Sequence, residues 1–197
     1  GGIGFGTIFL KKGYSLQRTY ALSKLESAMM PAIQVGLLVL VVTAPAFIFF
    51  SQKGPGAMHA PWLISLAAGL VVGGLSQFSR LCTVGGFRDL FLFKKSILIF
   101  GYLAVLVGVF VVNISFGNFH LGFENQPIAH TDGLWNFLGM ALAGFCSVLL
   151  GGCPLRQLIM TGEGNSDAAV TVLGLAAGAA FAHNFGLAAS GAGPTLN

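Results

Sequence analysis

An all-α integral membrane fold with five spanning helices follows from three features of the sequence. Charged residues make up 8% of the 197 positions and hydrophobic residues 55%, with a mean hydropathy of +0.83. A soluble domain carries about 25% charged residues, so this chain cannot clothe a surface in water. Apolar residues gather in five stretches, about 32–50, 61–78, 96–116, 134–150 and 168–190. Each approaches the roughly 20 residues that cross a bilayer. Between the stretches, lysine and arginine fall almost wholly on one side of an alternating path.

The elements follow in order. The opening GGIGFGTIFL is apolar but too short to span, and the basic stretch KKGYSLQR follows it at once. That pattern reads as the tail of a transmembrane helix, so the chain is expected to be one part of a longer polypeptide. Residues 1–30 would be this tail plus a basic cytoplasmic segment, and residues 31–197 the transmembrane helical domain. No cleavable signal peptide is expected, because no basic region precedes a short apolar run. Pro45 in the first span is tolerable where neighbouring helices re-satisfy the freed carbonyl.

Orientation comes from charge. Lys11, Lys12, Arg18 and Lys24 precede the first span; Arg80, Arg88, Lys94 and Lys95 lie between the second and third; Arg156 lies between the fourth and fifth. Only Lys53 falls opposite, and the 117–133 loop has no lysine or arginine. Basic residues concentrate on the cytoplasmic side, which puts the segments around Cys82 and Cys153 at that face and the C-terminus outside. The net charge of +4 is therefore orientation in a lipid bilayer, and no nucleic-acid partner is expected.

Two segments interrupt the apolar pattern with a shared theme. GGLSQFSRLCTVGGFRDLFLFKK (73–95) and LLGGCPLRQLIMTGEGNSDAA (149–169) each carry a cysteine beside a glycine pair, then an arginine with a polar neighbour. These neighbours are Arg88–Asp89 and Arg156–Gln157, at spacings that make a loose repeat rather than a copy. Gly85–Gly86, Gly151–Gly152 and Pro154 disfavour a continuous helix. Irregular backbone at membrane depth survives only inside protein or beside a water-filled cavity, and broken helices lining a central site are a transporter device. The Phe91–Phe93 run suits a short re-entrant segment. Elsewhere, Gly69 and Gly73, and Gly174 and Gly178, sit four apart, a spacing that lets helix backbones approach in a tight bundle.

Other residues have plain readings. The three cysteines form no CxxC or CxxH pattern, so neither metal site nor cofactor is expected; nor do they make a disulfide framework. Cys146 reads as packing, and taken alone Cys82 and Cys153 fit either a buried small hydrophobe or a functional thiol. Arg88–Asp89 is open between a site and an interface ion pair, and Arg80 between a site and a side chain snorkelling to the interface. Glu163, Asn165, Ser166 and Asp167 read as capping of the last helix, with Ser166 or Asp167 as N-cap. His183 and Asn184, within the last span, are functional candidates or a hydrogen-bonded helix contact. His59, His120 and His130 fall in outer loops and carry no inference. With no GxSxG, HExxH, P-loop or strand–GxGxxG–helix pattern, no enzyme is expected.

The strings QFSRLCTVGGFRDLF and LLGGCPLRQLIMTGEGNSDAA resemble the YeeE/YedE family of bacterial inner-membrane proteins. The second, with AAFAHNFGLAAS (179–190), is most similar to the subgroup described as selenium transporters. The resemblance covers nearly the whole chain but only the C-terminal half of a usual member. It implies half of an inverted-repeat helical transporter with two cysteine-bearing re-entrant segments, in the bacterial inner membrane. It also implies that a sulfur anion such as thiosulfate passes along cysteine thiols, so that Cys82 and Cys153 line the path. Arg80, Gly85, Gly86, Arg88, Asp89, Gly151, Gly152, Arg156, Gln157, Glu163, Asn165, His183 and Asn184 form the supporting set. The expected partners are a small sulfur or selenium anion, the missing N-terminal half or a second subunit, and a soluble sulfur or selenium carrier protein.

The chemistry of the residues agrees with that implication. A thiol is a weak, polarizable donor, and a conduction path must bind its ligand weakly enough to release it. Arg80, Arg88 and Arg156 can raise the local anion concentration, and helix N-termini after the breaks add positive dipole ends. Two alternatives belong to other classes: a membrane relay forming a covalent persulfide-type adduct on Cys153, and a structural subunit of a membrane complex. On the charge bias, an impermeant thiol reagent applied to intact cells should label Asn125→Cys and spare Lys95→Cys. The reverse pattern would invert the orientation.

Overall fold

The computed structural model of the chain describes residues 1–15, 23–43, 60–122 and 132–187. Arg18, Pro45, Lys53, His59, Asn125 and His130 lie outside the described residues. The described residues form eight helices, which in chain order are α1 (Gly2–Lys11), α2 (Lys24–Thr43), α3 (Trp62–Ser79), α4 (Thr83–Phe93), α5 (Ile97–Ser115), α6 (Gly133–Leu149), α7 (Pro154–Gly162) and α8 (Ser166–Asn184). Five stretches are long and apolar enough to cross a membrane, namely α2, α3 with α4 (Trp62–Phe93), α5, α6 with α7 (Gly133–Gly162) and α8. The fold is all-α, and of its three short helices, α1, α4 and α7, the last two directly follow the two breaks.

Local chemistry sets the ends. α2 starts ahead of its apolar run because Ser23 and Glu26 cap each other: the Ser23 N–H donates to Glu26 Oε2 at 2.9 Å and the Glu26 N–H to Ser23 Oγ at 3.4 Å. This reciprocal pair satisfies two donors at the helix entrance. Asp132 caps α6 by accepting from the Trp135 N–H at 3.3 Å. α8 is capped by Asn165, which accepts from the Ala168 N–H at 3.0 Å. The cap is therefore neither Ser166 nor Asp167: the chain turns through Gly164 at φ +84°, which leaves Asn165 as the last non-helical residue. Pro31 sits inside α2, and a proline there leaves the carbonyl four residues earlier without its helical donor. That carbonyl belongs to Ser27, and the Gly164 turn packs against it: a Cβ on Gly164 would stand 3.2 Å from Ser27 O.

The short helices, not the long ones, hold the structure together. α4 packs on α1, α5 and α6, while α7 packs on α2, α3 and α8. The side chains of α2 and α5 contribute no buried residue, as expected of surfaces that meet lipid rather than water. The buried centre comprises Cys82, Val84, Val148 and Cys153, with Ile3 and Leu10 against it. α1 lies on α6 through glycine. A Cβ at Gly2 would collide with the Ala141 carbonyl, and one at Gly6 would come within 2.9 Å of Val148 Cβ. Phe5, Phe9 and Phe145 fill the adjoining space, with ring centroids 5.0 to 5.7 Å apart.

The glycine pairs singled out by spacing behave differently. Gly69, Gly73, Gly174 and Gly178 have no atom within 4 Å of where a Cβ would stand, so they join no helices among the described residues. Four-residue spacing marks a face on which a backbone can approach, and only a partner turns it into a contact. The close approaches fall instead at Gly2, Gly6 and Gly144 between α1 and α6, and at Gly86 between α4 and α5. A Cβ on Gly86 would meet Ile99 N at 3.2 Å and Ile99 Cα at 3.3 Å, backbone atoms that cannot rotate away. Gly86→Ala should lower stability by about 1–3 kcal/mol in thermal unfolding of the detergent-solubilised protein. Gly69→Ala should be neutral or slightly stabilising, because alanine is the better helix former by up to about 1 kcal/mol.

Candidate functional site: a cysteine junction between two broken helices

The two breaks share one backbone design, more regular than their residue spacing suggests. At the end of α3, the Leu81 N–H donates to Ser76 O at 3.1 Å and the Arg80 N–H to Gln77 O at 3.3 Å. At the end of α6, the Gly152 N–H donates to Ser147 O at 3.0 Å and the Gly151 N–H to Val148 O at 3.2 Å. Both are Schellman ends, in which a left-handed residue lets the chain turn back on its last carbonyls. The left-handed residues are Arg80 at φ 51° and Gly151 at φ 82°. Two residues on, Cys82 and Cys153 become the N-caps of α4 and α7. The repeat therefore has a fixed offset of 71 residues, with Gly85–Gly86 standing opposite Arg156–Gln157.

That shared design brings the cysteines together. Both are buried, at 6% and 7% exposure. Cys82 Sγ accepts from the Gly85 N–H at 3.2 Å, closing the cap of its own helix, and from the Cys153 N–H at 3.4 Å. Donors from the N-termini of α4 and α7 thus converge on the Cys82 sulfur, with Cys153 directly beside it. Cys153 itself makes no side-chain capping bond. It lines a cavity of about 620 Å³ whose walls include Thr83, Val84, Phe87 and Phe91 of α4 and Ser147 of α6. The Phe91 of the aromatic run is therefore a cavity wall.

The supporting residues divide into three groups. Gln157, 2% exposed, donates from Nε2 to the Leu150 carbonyl at 2.9 Å, satisfying an acceptor freed where α6 ends. Gly152 permits this, since a Cβ there would stand 3.5 Å from Gln157 Nε2 and 3.3 Å from Arg156 Cγ. Arg156 reaches α3: its Nη1 donates to Gln77 Oε1 at 3.0 Å, its Nη2 lies 3.9 Å from Glu163 Oε2, and Gln77 Nε2 donates to Glu163 Oε1. Arg88 and Asp89 pair with each other at 2.9 Å, so Arg88 is matched by its own neighbour rather than left to attract anions. Arg80 is exposed and shapes the α3 end through its backbone. Asn165 is the α8 cap. His183 and Asn184 close α8 at its far end, about 25 Å along the axis from Ser166 at 1.5 Å per residue, away from the cap that α7 abuts. Exposed Cys146 is not part of the junction.

Gln77 is the residue that sequence reading missed. A glutamine in the last turn of an apolar helix carries no motif, and its link to Arg156 and Glu163 exists only once α3 meets α7. Cys82 proves to be both cap and thiol, which refines how it is to be tested. Cys82→Ala leaves the Gly85 and Cys153 N–H groups buried without their acceptor, at about 1–3 kcal/mol for an unmade bond. Cys82→Ser restores an acceptor. In thermal unfolding the alanine variant should be clearly less stable than the serine variant; equal stability of the two would remove the cap from the account.

Comparison with known proteins shows the family. Residues 78–192 match the family model described as Sulphur transport, a region that contains both cysteine breaks and all of α4 to α8. The thiosulfate transporter TsuA of Escherichia coli (strain K12) is 29% identical over 111 residues, covering 54% of this chain and 30% of that protein. The chain thus spans less than a third of the relative it matches. No solved structure matches the chain. With more than half of its residues under one family model, the chain belongs to the sulphur-transport, or YeeE/YedE, family of membrane proteins.

Proposed function

We propose that the chain forms part of a permease for a small sulfur anion of the thiosulfate class, and that the Cys82–Cys153 junction is its narrow point. The observation that carries this reading is the meeting of two helix N-termini at the cysteine pair, where the Gly85 and Cys153 N–H groups both donate to Cys82 Sγ. Helix N-termini present unsatisfied N–H groups and a partial positive charge, which favour an anion. The thiols add neutral, polarizable donors beside them. A lysine at this point would hold a dianion tightly; a thiol holds it loosely enough to let it go. A selenium oxyanion or selenide presents the same soft chemistry and fits the same junction.

The path runs from the cavity bounded by α1, α4 and α6 to Cys153, with Arg156 three residues further along. In the orientation set by the basic residues, Arg156 faces the cytoplasmic side of the inner membrane and the C-terminus is external. The relative named as a thiosulfate transporter is much longer than the matched region. Further parts of the same polypeptide, or a second subunit, are proposed to complete the path. A covalent relay on Cys153 would be marked by a persulfide adduct, whereas a permease carries its anion without one.

Cys153 offers the cleanest test of a pathway thiol, because its side chain caps nothing. Cys153→Ala should abolish or strongly reduce uptake of labelled thiosulfate by proteoliposomes containing the complete gene product. Cys153→Ser should retain part of it, and Cys146→Ala should transport as the parent does. Normal uptake by a well-folded Cys153→Ala variant would refute the thiol-lined path.

A further inference from the structure

We infer that Glu163 is a built-in competitor for Arg156, a carboxylate that neutralises the guanidinium while the site is empty and yields it to the transported anion. The inference rests on the anion-transport reading above and concerns how that site is regulated. Three contacts carry it. Arg156 Nη1 is hydrogen-bonded to Gln77 at 3.0 Å, but Arg156 Nη2 and Glu163 Oε2 are 3.9 Å apart. A charge-assisted bond between such groups is about 2.7–2.9 Å, so the carboxylate attracts the guanidinium across a gap without bonding to it. Glu163 is instead held by the Gln77 amide.

The arrangement leaves Arg156 available. A guanidinium has five N–H donors in a planar fork suited to two oxygens of one anion. Its side chain is 21% exposed and that of Glu163 40%, so an incoming anion has access to both. Arg156 lies in the first turn of α7, three residues after Cys153. An anion leaving the thiol junction therefore meets Arg156 next, and must displace only a loosely placed carboxylate. The return of that carboxylate then helps to expel the anion. Gln77 sets the balance: by holding Glu163 back from Arg156, it keeps the competition weak.

A plain strut between α3 and α7 would use the same three residues, and the variants separate the two roles. Glu163→Gln keeps the size and an oxygen to accept from Gln77, but removes the charge. It should lower the KM for thiosulfate uptake by up to about fivefold, the range for removing one partly exposed competing charge, and lower the maximal rate because release slows. Gln77→Ala frees Glu163 to close on Arg156 and should shift KM the other way. Glu163→Asp, which keeps the charge, should not lower KM. The assay is initial-rate uptake into proteoliposomes containing the complete gene product, with thermal stability measured in parallel. An unchanged KM in Glu163→Gln, while the parent protein transports, overturns this inference and leaves the permease reading standing. If Glu163→Gln fails to fold, a Gln77→Ala KM that does not rise overturns it equally. Absence of thiosulfate uptake by the parent protein overturns the permease reading, and this inference with it.

Discussion

The hydrogen bond from the Cys153 N–H to Cys82 Sγ is where the two broken helices meet, and the arrangement of the other helices depends on that meeting. Ending a helix inside a membrane exposes carbonyls on one side of the break and N–H groups on the other, each costing several kcal/mol if unmatched in lipid. Here the carbonyls are met by the Schellman turns and by the Gln157 amide. The Gly85 and Cys153 N–H groups converge on the Cys82 sulfur. Neither break can be satisfied in this way without the other, because Cys82 accepts one donor from each short helix. Burial follows the same logic: the hydrophobic centre is built around Cys82 and Cys153 while α2 and α5 bury no side chain.

What the sequence discloses is what depends on composition along the chain. The five spans are legible because hydropathy acts locally, and the breaks because Gly151, Gly152 and Pro154 are poor helix continuers. The 71-residue register was obscured by Arg80. A left-handed arginine gives no sign of itself in sequence, whereas the equivalent Gly151 does. Matching arginine to arginine, as the residue types invite, sets Arg88 against Arg156 and spoils an alignment that the backbone makes plain. The glycine pairs of α3 and α8 show the converse error: the spacing is real, yet nothing packs on it among the described residues. Gln77 and the α1 glycines were illegible because their roles are set by which helix crosses them.

Charge near the junction is closely matched. Arg88 is taken up by Asp89, and Arg156 is shared between Gln77 and Glu163. A strong uncompensated positive field would attract an anion and then retain it. Backbone donors and thiols around Cys153 are weaker, and their geometry is fixed by two helix caps rather than by flexible side chains. Under the permease proposal, selectivity would come from shape and soft contacts at the junction, while the basic residues outside it would serve to orient the protein in the membrane.

The two halves of the repeat have also parted in chemistry where their backbones still agree. After Cys82 come Gly85 and Gly86; after Cys153, at the same positions, come Arg156 and Gln157. The glycine copy gives up side chains at these two positions so that α4 can lie against the backbone of α5 at Ile99. The other copy keeps long polar side chains, one stapling its own break at Leu150 and one reaching across to α3. A symmetric junction would offer an anion the same environment on both sides and no reason to move on. With arginine three residues after only one of the two cysteines, the path proposed above would run from the apolar cavity beside α4 toward the polar cluster beside α7.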